Sequence, residues 1–272
     1  LKHKGLSFAL TALLAFSALL VAAQATPGAT KIVGAASANT MLQGIPQQGI
    51  ELGNPDARVT LVEFVEPQCP YCAKWTRDEL PGVISRYVRS GKIRIEYRGL
   101  SFLGSDSKGL LTLAQAAGEQ NKLWNVVELE TLNQGGEGSG YADQAYLEAI
   151  AKAVPGLDAK KAFARAGSSG VAARIDEAQA FSEQYQINVT PSFAIGKTGD
   201  EQNMTVMAHT SGQGLYNSID DALAEKSVPA RSAGLPTWAI VLFTMAGAAL
   251  LGGVISLVSR RSNRPAAPPP AA

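Results

Sequence analysis

Residues 58–75 read RVTLVEFVEPQCPYCAKW. The first eight are β-branched and apolar except for Arg58 and Glu63, which predicts a buried strand. Cys69 and Cys72 follow, spaced CxxC, and Pro70 between them suits the first position of a helix, where its missing N–H would have no partner. Trp75 and Leu80 are spaced to help cover a core, and Pro81-Gly82 breaks the helical pattern, which can resume over VISRYVRS to about Ser90. KIRIEYRGL, 92–100, alternates apolar and polar and predicts a second strand. The order is therefore strand, CxxC, helix, strand.

Cys69 and Cys72 are the only cysteines in the chain. A bridge between them closes a very small loop and removes little unfolded-state entropy, so stability does not explain the pair. At a helix start Cys69 meets unpaired backbone N–H groups and the positive end of the macrodipole, and both favour thiolate over thiol. Cys72 falls one turn later on the same face, within bridging distance. An exposed, activated sulfur with a partly buried resolving one is what thiol–disulfide exchange requires. Zinc needs three or four ligands. With His3 and His209 the only histidines, no closed intramolecular metal site can form, although a dimer sharing two pairs stays open. Met204, Met207 and His209 could offer soft and imidazole ligands to copper, but on a strand Met204 points away from the other two.

Further along, residues 107–184 are mostly helical in pattern, broken by NQGGEGSG at 133–140 and by Pro155-Gly156. Ser192 to Gly196 and Met204 to His209 predict two strands, and 214–226 predicts an amphipathic helix. Residues 26–50 lack a sustained period and predict a linker. The formal net charge is +1, which gives no support for a nucleic-acid partner.

Both ends predict membrane targeting. Lys2, His3 and Lys4 precede an uncharged apolar run from Leu6 to Ala23, and Ala23-Gln24-Ala25 offers a small-residue cleavage site. This predicts a signal peptide over 1–25, with an uncleaved anchor as the alternative. Residues 238–258, WAIVLFTMAGAALLGGVISLV, carry no charge in 21 positions, enough to span about 30 Å as a helix. Residues 227–237 link the domain to this segment. Arg260, Arg261 and Arg264 follow it, so the tail 259–272 is expected in the cytoplasm and the domain outside, in the periplasm or at the cell exterior.

LGNPDARVTLVEFVEPQCPYCAKW, 52–75, and NVTPSFAIG, 188–196, together resemble the DsbA-like thioredoxin-fold proteins, and AAGEQNKLWNVVELETLNQ, 116–134, resembles their helical insert. The resemblance implies an α/β thioredoxin fold over 51–226, a central mixed sheet flanked by helices, with a helical insert at about 107–184. It implies disulfide oxidoreductase activity outside the cytoplasm, toward cysteine-containing exported proteins, and requires no cofactor or metal. Cys69 matches the nucleophile, Cys72 the resolving cysteine, and Pro70 and Tyr71 the dipeptide between them. Pro191 matches a cis-proline after Thr190, where the backbone would receive an extended substrate; an ordinary strand-start proline is the alternative. Glu63 matches a buried acid that could exchange a proton with Cys72, against the alternative of an exposed edge-strand glutamate. Glu66 is expected at the surface. Two features depart from the best-known strong oxidases. The dipeptide is Pro-Tyr rather than Pro-His, which predicts a milder oxidant. The membrane segment would keep the domain near a quinone-linked reoxidase or a transmembrane electron donor. Oxidase is the favoured direction; a membrane-fed reductase or isomerase, or a non-catalytic chaperone or binding module on the same fold, are the alternatives.

Overall fold

The structure is a computed structural model that describes residues 30–231. The expected signal peptide, membrane span and tail lie outside them, and no helix among the described residues is long and apolar enough to cross a membrane. In chain order the elements are α1 (Ala35–Leu42), β1 (Gln47–Gln48), β2 (Glu51–Gly53), β3 (Val59–Val65), α2 (Pro70–Asp78), α3 (Leu80–Val83), β4 (Ile93–Gly99), α4 (Ser105–Gly118), α5 (Leu123–Leu132), α6 (Gln144–Ala153), α7 (Ala159–Ala166), α8 (Ser169–Gln184), β5 (Ser192–Lys197), β6 (Thr205–Val206) and α9 (Gly212–Leu223).

The strands form one mixed sheet in the order β1-β2-β4-β3-β5-β6. β3 and β4 are parallel, and β5 runs antiparallel to β3. β3 is buried along its whole length, which is why its sequence reads as a nearly continuous apolar run. Leu61 and Val65 join the larger core on one face, while Val62 and Phe64 pack with Ile187, Ala194 and Met204 on the other. Fully burying one such side chain contributes about 1.5–3 kcal/mol.

The connection from β3 to β4 begins with α2, bends at Glu79 before Pro81, and continues through α3 and a π-helical turn at Ile84–Val88. The helical insert lies between β4 and β5, as expected. Three of its five helices, α6, α7 and α8, start on side-chain caps: Asp143 accepts from the N–H of Tyr146, Asp158 from Lys161 and Ser168 from Val171. The insert docks on the sheet where Gly99 ends β4. A methyl group there would fall inside contact distance of Leu111 on α4 and 2.8 Å from Tyr97 Cε1.

Three boundaries differ from expectation. Residues 35–48 are not linker: α1 buries Ala38 and Leu42, Arg89 donates to the carbonyls of Met41 and Gln43 at its end, and β1 pairs with β2. A helix this short depends on tertiary contacts rather than on a long apolar period. The strand expected over Met204 to His209 shrinks to Thr205–Val206, with Met207 bridging to Ala230. The last helix begins at Gly212 and stops at Leu223.

Replacing Gly99 with Ala overpacks the junction of sheet and insert and should cost about 1–3 kcal/mol, read as a lowered thermal midpoint. Gly167→Ala, with nothing within 4 Å of its added methyl, should leave the midpoint nearly unchanged.

Candidate active site

β3 delivers the chain to Glu66, and a turn closed by Cys69 N–H on the Glu66 carbonyl sets Cys69 at the N-cap of α2. Pro70 occupies the first helical position, as the sequence predicts. Both cysteines are free thiols. The Cys69 thiol is lowered to about 5: the Cys72 thiol stabilises its anion most, burial opposes, and Thr190 and the N–H groups of Cys72 and Tyr71 add to the lowering. Cys72 moves the other way, raised first by burial and then by Cys69 itself. Two sulfurs in one turn are thus pushed apart, one a thiolate at neutral pH and the other its proton donor.

The expected exposure of Cys69 is not observed, since only 7 % of its surface is open. The Thr190 carbonyl accepts from its Sγ at 3.4 Å, and Gln134 of the insert reaches its backbone carbonyl at 3.3 Å. Tyr71 carries the exposure instead, at 71 %. The Thr190–Pro191 bond is cis, as the resemblance implies. Beside it a groove of about 310 Å³ runs between Tyr71, Lys74 and Trp75 and the facing Thr190, Pro191 and Ser211. A larger cleft of about 650 Å³ lies at the far end of β3, beside Arg58, Lys197 and Lys226, and holds neither sulfur. Chemistry rather than size therefore marks the site.

Glu63 is buried in the middle of the sheet, between Tyr97 of β4 and Phe193 of β5, so the edge-strand alternative does not hold. Burial raises its carboxyl to about 8, with the Trp75 indole opposing; neither Glu63 Oε2 nor Trp75 Nε1 reaches full hydrogen-bond geometry. Glu66 was expected at the surface and is fully covered. Its carboxyl accepts from the Gln68 N–H at 2.7 Å and from the Ser107 hydroxyl, and burial raises its pKa. The adjoining Gln68 binds the Leu103 carbonyl, Ser107 and the Gly138 N–H, which ties the cysteine loop to the insert. Gln68, Ser107 and Gln134 were not foreseen, because their roles depend on contacts 35 to 70 residues distant in sequence. Met204 and Met207 are packed in the two cores and His209 is exposed, so the three do not converge.

A CxxC pair at the start of a helix, faced by a cis Thr-Pro loop that opens β5 beside β3, defines a thioredoxin-fold protein with a redox-type site. A family model described as thioredoxin matches residues 46–210, and the chain belongs to that family. Among solved structures, BdbD from Bacillus subtilis in its oxidised form superposes with a TM-score of 0.57 at 18 % identity, covering 66 % of this chain and 97 % of that one. A thioredoxin-like oxidoreductase from Silicibacter pomeroyi gives 0.52 at 25 % identity, covering 70 % and 98 %. A Bacillus cereus protein named probable disulfide bond formation protein D is 38 % identical over 68 residues, which is 25 % of this chain and 30 % of that relative. The match thus spans under a third of the curated relative's length. The resemblance to DsbA-like proteins drawn from the two motifs is borne out.

The raised pKa of Glu63 has a sign. Below the ordinary carboxylate range the folded and unfolded states both hold the proton, and no penalty arises. As pH rises toward 8 the unfolded state alone loses it, and folding is increasingly disfavoured. Glu63→Gln should therefore stabilise the protein by roughly 1–3 kcal/mol at pH 7. The gain should grow between about pH 5 and 8 in denaturant titrations and level off above.

Proposed function

We propose that this chain is an extracytoplasmic protein thiol–disulfide oxidoreductase that acts on cysteines of exported proteins through Cys69 and Cys72. The observation that carries this reading is the split between the two sulfurs, with Cys69 lowered to about 5 and Cys72 raised. In the oxidising direction a substrate thiolate attacks Cys69 Sγ of the Cys69–Cys72 disulfide. The S–S bond breaks toward Cys72, whose leaving thiolate takes a proton from the Glu63 carboxyl. A second substrate thiolate then attacks the mixed disulfide at the substrate sulfur, and Cys69 leaves as a stabilised thiolate. Two electrons pass from the substrate pair to the protein pair.

The proposed direction follows from that leaving group. Stabilising the Cys69 thiolate stabilises the dithiol form, which makes the disulfide form an oxidant. Tyr71 supplies no cation beside the thiolate, so the potential should be milder than that of a site with histidine there. Thr190 and Pro191 border the groove in which an extended substrate segment would lie, Tyr71 forming the opposite rim. The apolar runs at both ends of the sequence support export and a C-terminal anchor. The anchor would keep the pair near a membrane redox partner, a quinone-linked reoxidase in the favoured direction, by raising effective concentration without a new contact.

The oxidised protein should convert a reduced two-cysteine substrate to its disulfide, and Cys69→Ser should abolish the transfer. Offered an oxidised, disulfide-bonded substrate instead, Cys72→Ser should trap a mixed disulfide on Cys69 that is visible by mass. Against glutathione the pair should equilibrate nearer about −120 mV than about −270 mV. Transfer that survives Cys69→Ser would contradict the proposal.

A further inference from the structure

The insert places a second buried carboxyl opposite the first. Glu63 and Tyr97 are register partners on β3 and β4 and point to the same face of the sheet. α5 lies over that face, with Trp124 edge-on to Tyr97 at 6.1 Å. Glu128 stands one turn beyond Trp124 on the same side of α5 and is 3 % exposed. Glu63 Oε2, Glu128 Oε1 and Trp75 Nε1 are all buried without a hydrogen-bond partner. Unpartnered polar atoms so deeply buried are costly.

The charge of Glu63 acts on Glu128 through space, and no cation is among the groups that act on either. Trp75 of α2 acts on Glu63, and Tyr97 of β4, its register partner, feels the charges of Glu130, Glu63, Cys72 and Glu66, largest first. Glu130, two positions along α5, is buried as well, and its backbone carbonyl accepts from the Tyr146 hydroxyl at 3.3 Å.

We infer that Glu128 is a positioning residue for proton exchange: it shares protons with Glu63, the acid that serves Cys72 in the proposed function. This rests on the proposed exchange activity. When Cys72 attacks a mixed disulfide held on Cys69, its S–H proton passes to the Glu63–Glu128 pair, which takes it up when one of the two carboxyls is ionised. When Cys72 leaves as thiolate, the protons return along the same path. No electrons move in these steps.

The test uses the full-length reduced protein and an aromatic disulfide that yields coloured thionitrobenzoate. The first release reports attack by Cys69, and the second reports resolution by Cys72. In wild type, the pH profile of the second release should show two inflections between about pH 6 and 9.5, since a coupled pair gives up its protons in two steps. In Glu128→Gln one inflection should vanish and the remaining one should fall by on the order of one pH unit, with the first release unchanged. A Glu128→Gln profile that superimposes on wild type overturns the inference. So does a wild-type profile with a single inflection, which decides the matter even if the variant does not fold. A wild-type protein that releases nothing would instead overturn the exchange activity itself.

Discussion

A single proton held between two sulfurs sets the character of this site. Cys72 keeps the proton because burial denies it charge, and its S–H then stabilises the anion on Cys69. The neighbouring donors, the N–H groups of Tyr71 and Cys72, exist only because Pro70 begins a helix there. The cost of holding a thiolate with little solvent around it falls on the fold, which supplies these donors in place of water. Turn, helix start and Thr190 loop are all arranged around that one charge.

The insert does more than cover the sheet. Through Gln68, Ser107 and Gln134 it fixes the cysteine loop from the side opposite Thr190, so the site is clamped between the two halves of the fold. It also contributes Glu128 and Glu130, carboxyls that burial pushes far above their ordinary range. Buried acids without cations lower stability at neutral pH, and a purely structural core would be expected to hold apolar residues at those positions. Their place on α5, the helix whose Trp124 packs edge-on against Tyr97, puts them beside the register partner of Glu63.

Much of this was legible in the chain. The apolar run of β3 followed by CPYC marked the strand, the helix start and the places of both cysteines, because each depends on neighbours within a turn or two. The Thr-Pro motif located the facing loop, and Glu63 was legible as a buried acid once its strand was central. Exposure of Cys69 and the placement of Glu66 were misjudged for one reason: both are covered by the insert, whose docking leaves no periodic mark near residue 66. α1 and β1 escaped notice because they are short and owe their form to Arg89 and β2. Glu128 was hidden in a stretch that reads as an ordinary amphipathic helix, whereas α5 is buried nearly all round.

The central claim is that Cys69 is a thiolate at neutral pH because of where α2 begins. Ultraviolet thiolate absorbance of the reduced protein, referenced to the oxidised form and followed across pH, measures this directly. One thiolate should appear with a midpoint near 5, and no second one near neutrality. A first midpoint at about 8.5, that of an unperturbed cysteine, would contradict the account.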